Sequence, residues 1–263
     1  MQAPKISELP VPVPAGSPAP PPSLGERIGR AAGRLIAPLA GAAARMRRGR
    51  ALHLSGTVCV AEVVATADDP HLAPLARSLA GAAIVRLSGA LWRRPGPPDL
   101  LGCAVRFRGE RPLSALVAPE DQDLLFASVP SLWLMLPGVL RTRTGDYLHN
   151  AYYTASPLEL PGLGQAEFRL VPAPAAVQPG DDRDERLDAA MQHGVARLRL
   201  EVKRERRSWQ PLCDLRLRGR LGLADDELAY SPFHHGLGLH PRGFINAVRA
   251  AVYVASQRGR AAG

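Results

Sequence analysis

A chain of 263 residues and 28.1 kDa is long enough to bury one good core with small appendages, and its 46% hydrophobic and 22% charged content excludes wholesale disorder. No apolar run approaches the roughly 20 residues that cross a bilayer, and no charged start runs at once into an apolar h-region, so the expected location is cytoplasmic. The 33 Lys+Arg against 24 Asp+Glu give +9, gathered around 27–50 and 197–220, but aromatics are few and no zinc-finger, helix-turn-helix or phosphate-loop pattern occurs, so no nucleic-acid partner is expected.

Residues 1–22 read as a flexible Pro-rich arm, with Pro20, Pro21 and Pro22 in a row, unable to contribute to a helix or sheet. Ser23 and Glu26 make a capping box, and Ile28, Ala31, Leu35, Leu39 and Ala42 recur at helical spacing. This predicts a helix over 23–48, kinked near Pro38, with its apolar stripe packed on the body of the protein. Arg45, Arg47, Arg48 and Arg50 complement its dipole. Contact of residues 23–50 with a membrane surface is the competing use of that stripe.

Residues 49–263 are expected to form one domain. Thr57–Val64 is rich in β-branched residues and reads as a strand, as do Ala83–Ser88 and Asp99–Phe107. Within the second of these sits Arg86, an arginine in an apolar strand, which is costly to bury unless an anion meets it. From Trp133 to Val171 strands are expected to alternate with Gly/Pro turns, followed by an acidic exposed loop over Gly180–Asp188 leading to a short helix that stops at Gly194. Val195–Lys203 and Leu215–Arg218 alternate apolar and charged residues as half-buried strands do. Cys59, Cys103 and Cys213 are odd in number and far apart, so they read as small buried hydrophobes. His234, His235 and His240 cluster without a carboxylate or cysteine at ligand spacing, a weak metal signal. A serine-hydrolase elbow and a dinucleotide fingerprint are both missing.

The carboxyl-terminal stretch carries the chemistry. If Pro241 or Arg242 opens a helix, then Phe244, Ile245, Ala247, Val248, Ala251 and Val252 supply its buried face. Arg249, Tyr253, Ser256 and Arg260 fall on one stripe, because steps of four, seven and eleven residues at about 100° each return to within roughly 40° of the start. A phenol flanked by guanidinium groups is favoured as phenolate, below its free pKa of about 10. That is the form that ligates ferric iron.

This pattern, ArgXxxXxxXxxTyr completed by Ser256, Gln257, Arg258 and Arg260, resembles the proximal haem helix of the haem catalases. The segment Leu228-Ala229-Tyr230-Ser231-Pro232, with Gly236, Leu237 and Pro241, is similar to the family's lead-in to that helix. ArgXxxXxxHisXxxXxxGly over Arg50–Gly56 resembles the distal segment, and Ala83–Ser88 with Asp99–Phe107 is similar to two of the family's strands. The resemblance covers about residues 47–262. It implies an α+β protein: an eight-stranded antiparallel β-barrel with haem b in its cavity, a C-terminal proximal haem helix and an N-terminal helix. It further implies Tyr253 as iron ligand, with Arg50, Leu52, Arg86, Arg249, Tyr253 and Arg260 binding the cofactor. Of these, Arg50, Arg86 and Arg260 meet the propionates. His53 becomes the distal acid/base, and Ser88 the hydroxyl that orients it. Where the family carries AspLeuXxxGlyAsnAsnThrPro, this chain has Asp123–Pro130 and places Ala127 at the first Asn, with no side-chain donor or acceptor.

The activity implied is haem-dependent peroxide processing, of a peroxidase or catalase-like kind, on hydrogen peroxide or on organic or lipid hydroperoxides with an organic reductant. The alternative is a non-enzymatic catalase-fold protein that binds haem or another ligand. The long arm and the helical extension of full catalases are expected to be absent, so their tetramer is not carried over and an oligomer stays open.

Overall fold

The structure is a computed structural model and describes residues 22–31, 33, 55–90, 97–131, 135–173, 175–223, 228–243 and 246–247. Ten strands run through it: β1 Ser55–Ala65, β2 Gly81–Gly89, β3 Leu101–Gly109, β4 Gln122–Ala127, β5 Tyr152–Thr154, β6 Leu158–Leu160, β7 Gly164–Pro172, β8 Arg197–Arg204, β9 Gln210–Arg220 and β10 His240–Pro241. The described helices are α1 over 24–31, α2 Ala73–Leu79, α3 Met135–Arg141 and α4 Arg183–Gln192.

Every ladder is antiparallel. The order β7-β5-β4-β3-β2-β1-β9-β8 closes on itself because β7 also pairs with β8, which yields the eight-stranded barrel and removes the open edges that a flat sheet would expose. β6 and β10 lie outside the ring, β6 sharing with β5 one edge of β7.

Alternation along each strand sends one set of side chains inward. Cys59, Ala61 and Val63 of β1 face Val85 and Leu87 of β2, Cys103, Val105 and Phe107 of β3, Phe126 of β4, and Leu198, Leu200 and Val202 of β8, all in one buried cluster. An eight-stranded barrel has an interior just wide enough for side chains to fill. Here they fill it, and helices plug both ends. α2, with Pro74 in its first turn, inserts Ala76 and Leu79; α4 inserts Leu187 and Ala190 at the opposite mouth, where Asp184 meets the Thr57 hydroxyl. The three cysteines are free and buried, and burial pushes the Cys59 and Cys213 thiols up to about 12.

Several expectations change. The stretch 183–188 is helical rather than loop: Asp182 caps α4 by accepting from the amides of Asp184 and Glu185, so the acidic run is first-turn chemistry. α3 lies where only strands and turns were expected. The terminal helix starts at Gly243, since Pro241 belongs to β10. In α1 the capping box forms as read, Ser23 N donating to Glu26 Oε2 at 2.7 Å and Glu26 N to Ser23 Oγ at 3.3 Å. Its buried side, however, is Glu26, Gly29 and Gly33, and the described part of the apolar stripe, Ile28 and Ala31, is turned outward together with Leu24, Leu24 being 73% and Ile28 56% exposed. The remainder of the expected 23–48 helix, the kink at Pro38 and the arm before residue 22 lie outside the described residues.

The basic strands β7 to β9 carry their neutralising partners. Arg169 pairs with Glu201, Arg199 with Asp214, Arg204 with Asp69, Arg218 with Glu62 and Arg220 with Asp188.

Candidate functional site

The side chains that do not enter the lumen form an outer wall across β1 to β4, and the strand register arranges them in rows. Gly56, Ser88, Gly102 and Ala127 make one row; Val58, Arg86, Ala104 and Leu125 the next; Val60, Ile84, Arg106 and Asp123 the third. The first row is made of the smallest residues, so the wall is nearly smooth there. Ser88 and Arg86 stand on it two residues apart and are 2% and 5% exposed. Gly56 makes room for the guanidinium. A Cβ at that position would lie 2.8 Å from Arg86 Cζ and 2.7 Å from the Leu87 carbonyl oxygen.

Of the residues singled out from sequence, Arg86 and Ser88 are therefore neighbours on one face, and Ala127 shares the row of Ser88. Arg50, Leu52, His53, Arg249, Tyr253 and Arg260 lie outside the described residues. The expectation of an open cavity inside the barrel is corrected. The lumen is packed with Leu, Val, Phe and Cys side chains and plugged by α2 and α4, while Arg86 and Ser88 face outward. The described part of the site fits a planar, carboxylate-bearing macrocycle on the outer wall, because next to Ser88 the row continues through Gly102 and Ala127, whose missing side chains leave a flat surface, while the Arg86 guanidinium fills the space over Gly56.

A strap from Leu228 to Pro241 crosses this wall, and its latch escaped the sequence reading. Arg106 and Asp123, both fully buried, form a two-pronged pair with Nε–Oδ1 at 2.8 Å and Nη2–Oδ2 at 2.9 Å. Arg106 Nη2 also donates to the Ala229 carbonyl at 2.7 Å. Asp123 Oδ2 accepts from the Ser231 amide at 3.0 Å and lies 2.8 Å from His234 Nδ1. Burial opposes the Arg106 charge, yet the hydrogen bonds and attraction of Asp123 outweigh it and hold the Arg106 pKa above its ordinary value. Gln122 completes the latch, its amide nitrogen donating to the carbonyls of His234 and Leu239 and its oxygen accepting from the Leu239 amide. Gly236 passes so close to the turn before β4 that a Cβ would sit 2.2 Å from the Glu120 carbonyl carbon. The signal was available: the argument that an arginine in an apolar strand needs an anion applies to Arg106 as well as to Arg86.

At the far end of the strap Glu26 ties α1 to the start of the terminal helix. Its Oε1 accepts from the Gly243 amide at 2.9 Å and lies 3.4 Å from Arg242 Nε. Burial raises the Glu26 pKa, but the Gly243 and Ser23 amides and the Arg242 charge prevail and hold it below the ordinary 4.5. Tyr147, Tyr152 and Tyr230, by contrast, are pushed up by burial, and Tyr230 donates to the Ile84 carbonyl; none of these three is poised as a phenolate. His235 and His240 meet at a tilt, 4.3 Å between ring centroids, yet no group of three or more metal-ligating side chains occurs among the described residues. Beside the small-residue row, past Tyr153 which pairs with Ala127, lies a cavity of about 310 Å³ lined by Ser128, Arg141, Arg143, His149 and Tyr153 among others.

Compared with known proteins, the chain matches no family model and none of the curated proteins. A crystal structure of a fungal catalase superimposes on it with a TM-score of 0.52 and 11% sequence identity, over 80% of this chain and 58% of that one. The fold is catalase-like. The likeness is one of fold, and this catalase-like chain spans less than two thirds of the length of the protein it matches.

Proposed function

We propose that this catalase-like barrel binds haem b against the outer wall of β1 to β4 and uses it to process peroxide. The observation that carries the reading is the buried pair Arg86 and Ser88 beside the flat Gly56-Ser88-Gly102-Ala127 row, on the fold of an enzyme that is itself a catalase. Bound haem supplies a redox-active iron at which a peroxide O–O bond breaks. The chain's own residues do the rest. Arg86, with Arg50 and Arg260, neutralises the propionates, and a guanidinium suits a carboxylate because its paired donors match both oxygens. Leu52 belongs to the same cofactor-binding set. Tyr253 would hold the iron through its phenolate, kept ionised by Arg249. His53 takes the proton from the inner peroxide oxygen and delivers it to the outer one, and Ser88 holds its imidazole in place.

Ala127 shapes the specificity. In the row beside Ser88 it offers no donor to a second peroxide molecule, which favours a peroxidase cycle with an organic reductant over dismutation. The neighbouring cavity of about 310 Å³ is of the size that takes a small organic molecule, so an organic or lipid hydroperoxide suits this chain. The same alanine favours the second reading, a haem carrier without turnover.

Expression with haem supplied separates these. The proposal expects a purified protein with a Soret band that shifts in Tyr253→Phe, and peroxide turnover that is lost in His53→Ala while haem is retained. Haem uptake with no peroxide turnover in the wild type leaves only the carrier, and turnover unchanged in His53→Ala removes His53 from the mechanism. A protein that takes up no haem ends both readings.

A further inference from the structure

The outward face of α1 is built for a partner. Along this helix Glu26, Gly29 and Gly33 are buried, whereas Leu24, Ile28 and Ala31 recur at steps of four and three on the opposite side and are exposed. At about 100° per residue the two sets lie roughly 180° apart. The helix cannot roll to hide Leu24 and Ile28, because that would pull Glu26 away from the Gly243 amide, Arg242 and Ser23. Arg27 and Arg30 are exposed along one side of the apolar stripe, about 70° and 130° from its middle. Glu26 is the only acidic residue of α1, and it is buried, so the exposed surface is apolar and cationic alone.

We infer that this face docks on an anionic lipid surface. A stripe of Leu and Ile bordered by arginine is the chemistry of a helix lying in the membrane interface, with its apolar side among the acyl chains and its cations at the headgroups. A second copy of this chain suits the face less well, since an antiparallel two-fold pairing would set the edge of Arg27 and Arg30 against its own equivalent and no α1 pairing offers those cations an exposed carboxylate. The sequence continues without an acidic residue from Arg27 to Arg50, in keeping with a cationic surface. Because Glu26 also grips the first turn of the terminal helix, docking would hold that helix close to the lipid.

The test is co-sedimentation of the full-length chain with vesicles of phosphatidylcholine containing about one part in three phosphatidylserine, beside vesicles of phosphatidylcholine alone. The protein is expected to pellet with the anionic vesicles only and to be released as salt rises. Arg27→Gln with Arg30→Gln should weaken partition about thirtyfold, each basic side chain near such a surface contributing about 1 kcal/mol. Leu24→Ser with Ile28→Ser should weaken it on the order of a hundredfold, with an unchanged thermal melt because both side chains are exposed. The inference is overturned if the wild type stays in solution, if it binds neutral vesicles equally well, or if both double variants bind as before. It is equally overturned if the wild type proves a dimer in solution that Ile28→Ser converts to monomer. None of these outcomes depends on bound haem.

Discussion

Substitution of Asp123 by alanine should show how firmly the strap is fastened. The carboxylate meets Arg106 through both oxygens and also holds the Ser231 amide and His234. With both side chains of the ion pair at 0% exposure, removing the anion leaves a buried guanidinium uncompensated, which costs about 3–5 kcal/mol. At about 2–4 °C per kcal/mol for a domain of this size, the melting temperature should drop by about 6–20 °C. The double variant Arg106→Met, Asp123→Leu removes both charges and should be more stable than Asp123→Ala, since a buried pair replaced by apolar groups is often neutral. Denaturant unfolding gives the free energies, and hydrogen exchange should show faster exchange at the Ser231, Gly236 and Leu239 amides in Asp123→Ala. A loss of less than about 1 kcal/mol, the range of exposed pairs, or a double variant weaker than the single one, would refute the assignment of this pair as the latch.

Two further outcomes follow from the same contacts. In Gly56→Ala the new Cβ meets the Leu87 carbonyl oxygen at 2.7 Å, and backbone cannot yield as a side-chain tip can, so overpacking should cost about 1–3 kcal/mol; a change within about 0.5 kcal/mol in urea unfolding would show that the wall has slack. Glu26 titrates below its ordinary 4.5 in the folded chain, so its contribution is complete above pH 4.5 and disappears as pH falls through the lower folded value. Proteolysis of the N-terminal segment should therefore accelerate on acidification in the wild type, and in Glu26→Gln should already be fast at neutral pH.

Strands were legible wherever one face is wet. The alternation in Val195–Lys203 found β8, and the β-branched run at Thr57–Val64 found β1. β2 read as an apolar run because both its faces are covered, the inner by the barrel core and the outer, at Ile84, by Leu228 and Tyr230 of the strap. Closure of the ring was not written in any local pattern, since the β7–β8 pairing joins segments separated by α4, and it entered only through the resemblance to catalases. The acidic residues 181–185 misled in the opposite sense: what looked like a solvated loop is the capped first turn of α4. In α1 the period was right and the face was wrong, because spacing says which residues share a side and not which side a buried glutamate will claim. For the site, Arg86 was found by the cost of burying its charge, and the pairing of Arg106 with Asp123 was missed because it depends on cross-strand register.

The most direct test of the proposed haem site is a spectrophotometric haem titration of the wild type beside Gly102→Phe, which thickens the wall next to Ser88, and Cys103→Ala, which changes only the lumen. The outer-wall account predicts a saturable Soret band in the wild type and in Cys103→Ala, and a loss of affinity of tenfold or more in Gly102→Phe. Equal binding by Gly102→Phe and the wild type, or loss confined to Cys103→Ala, would contradict it.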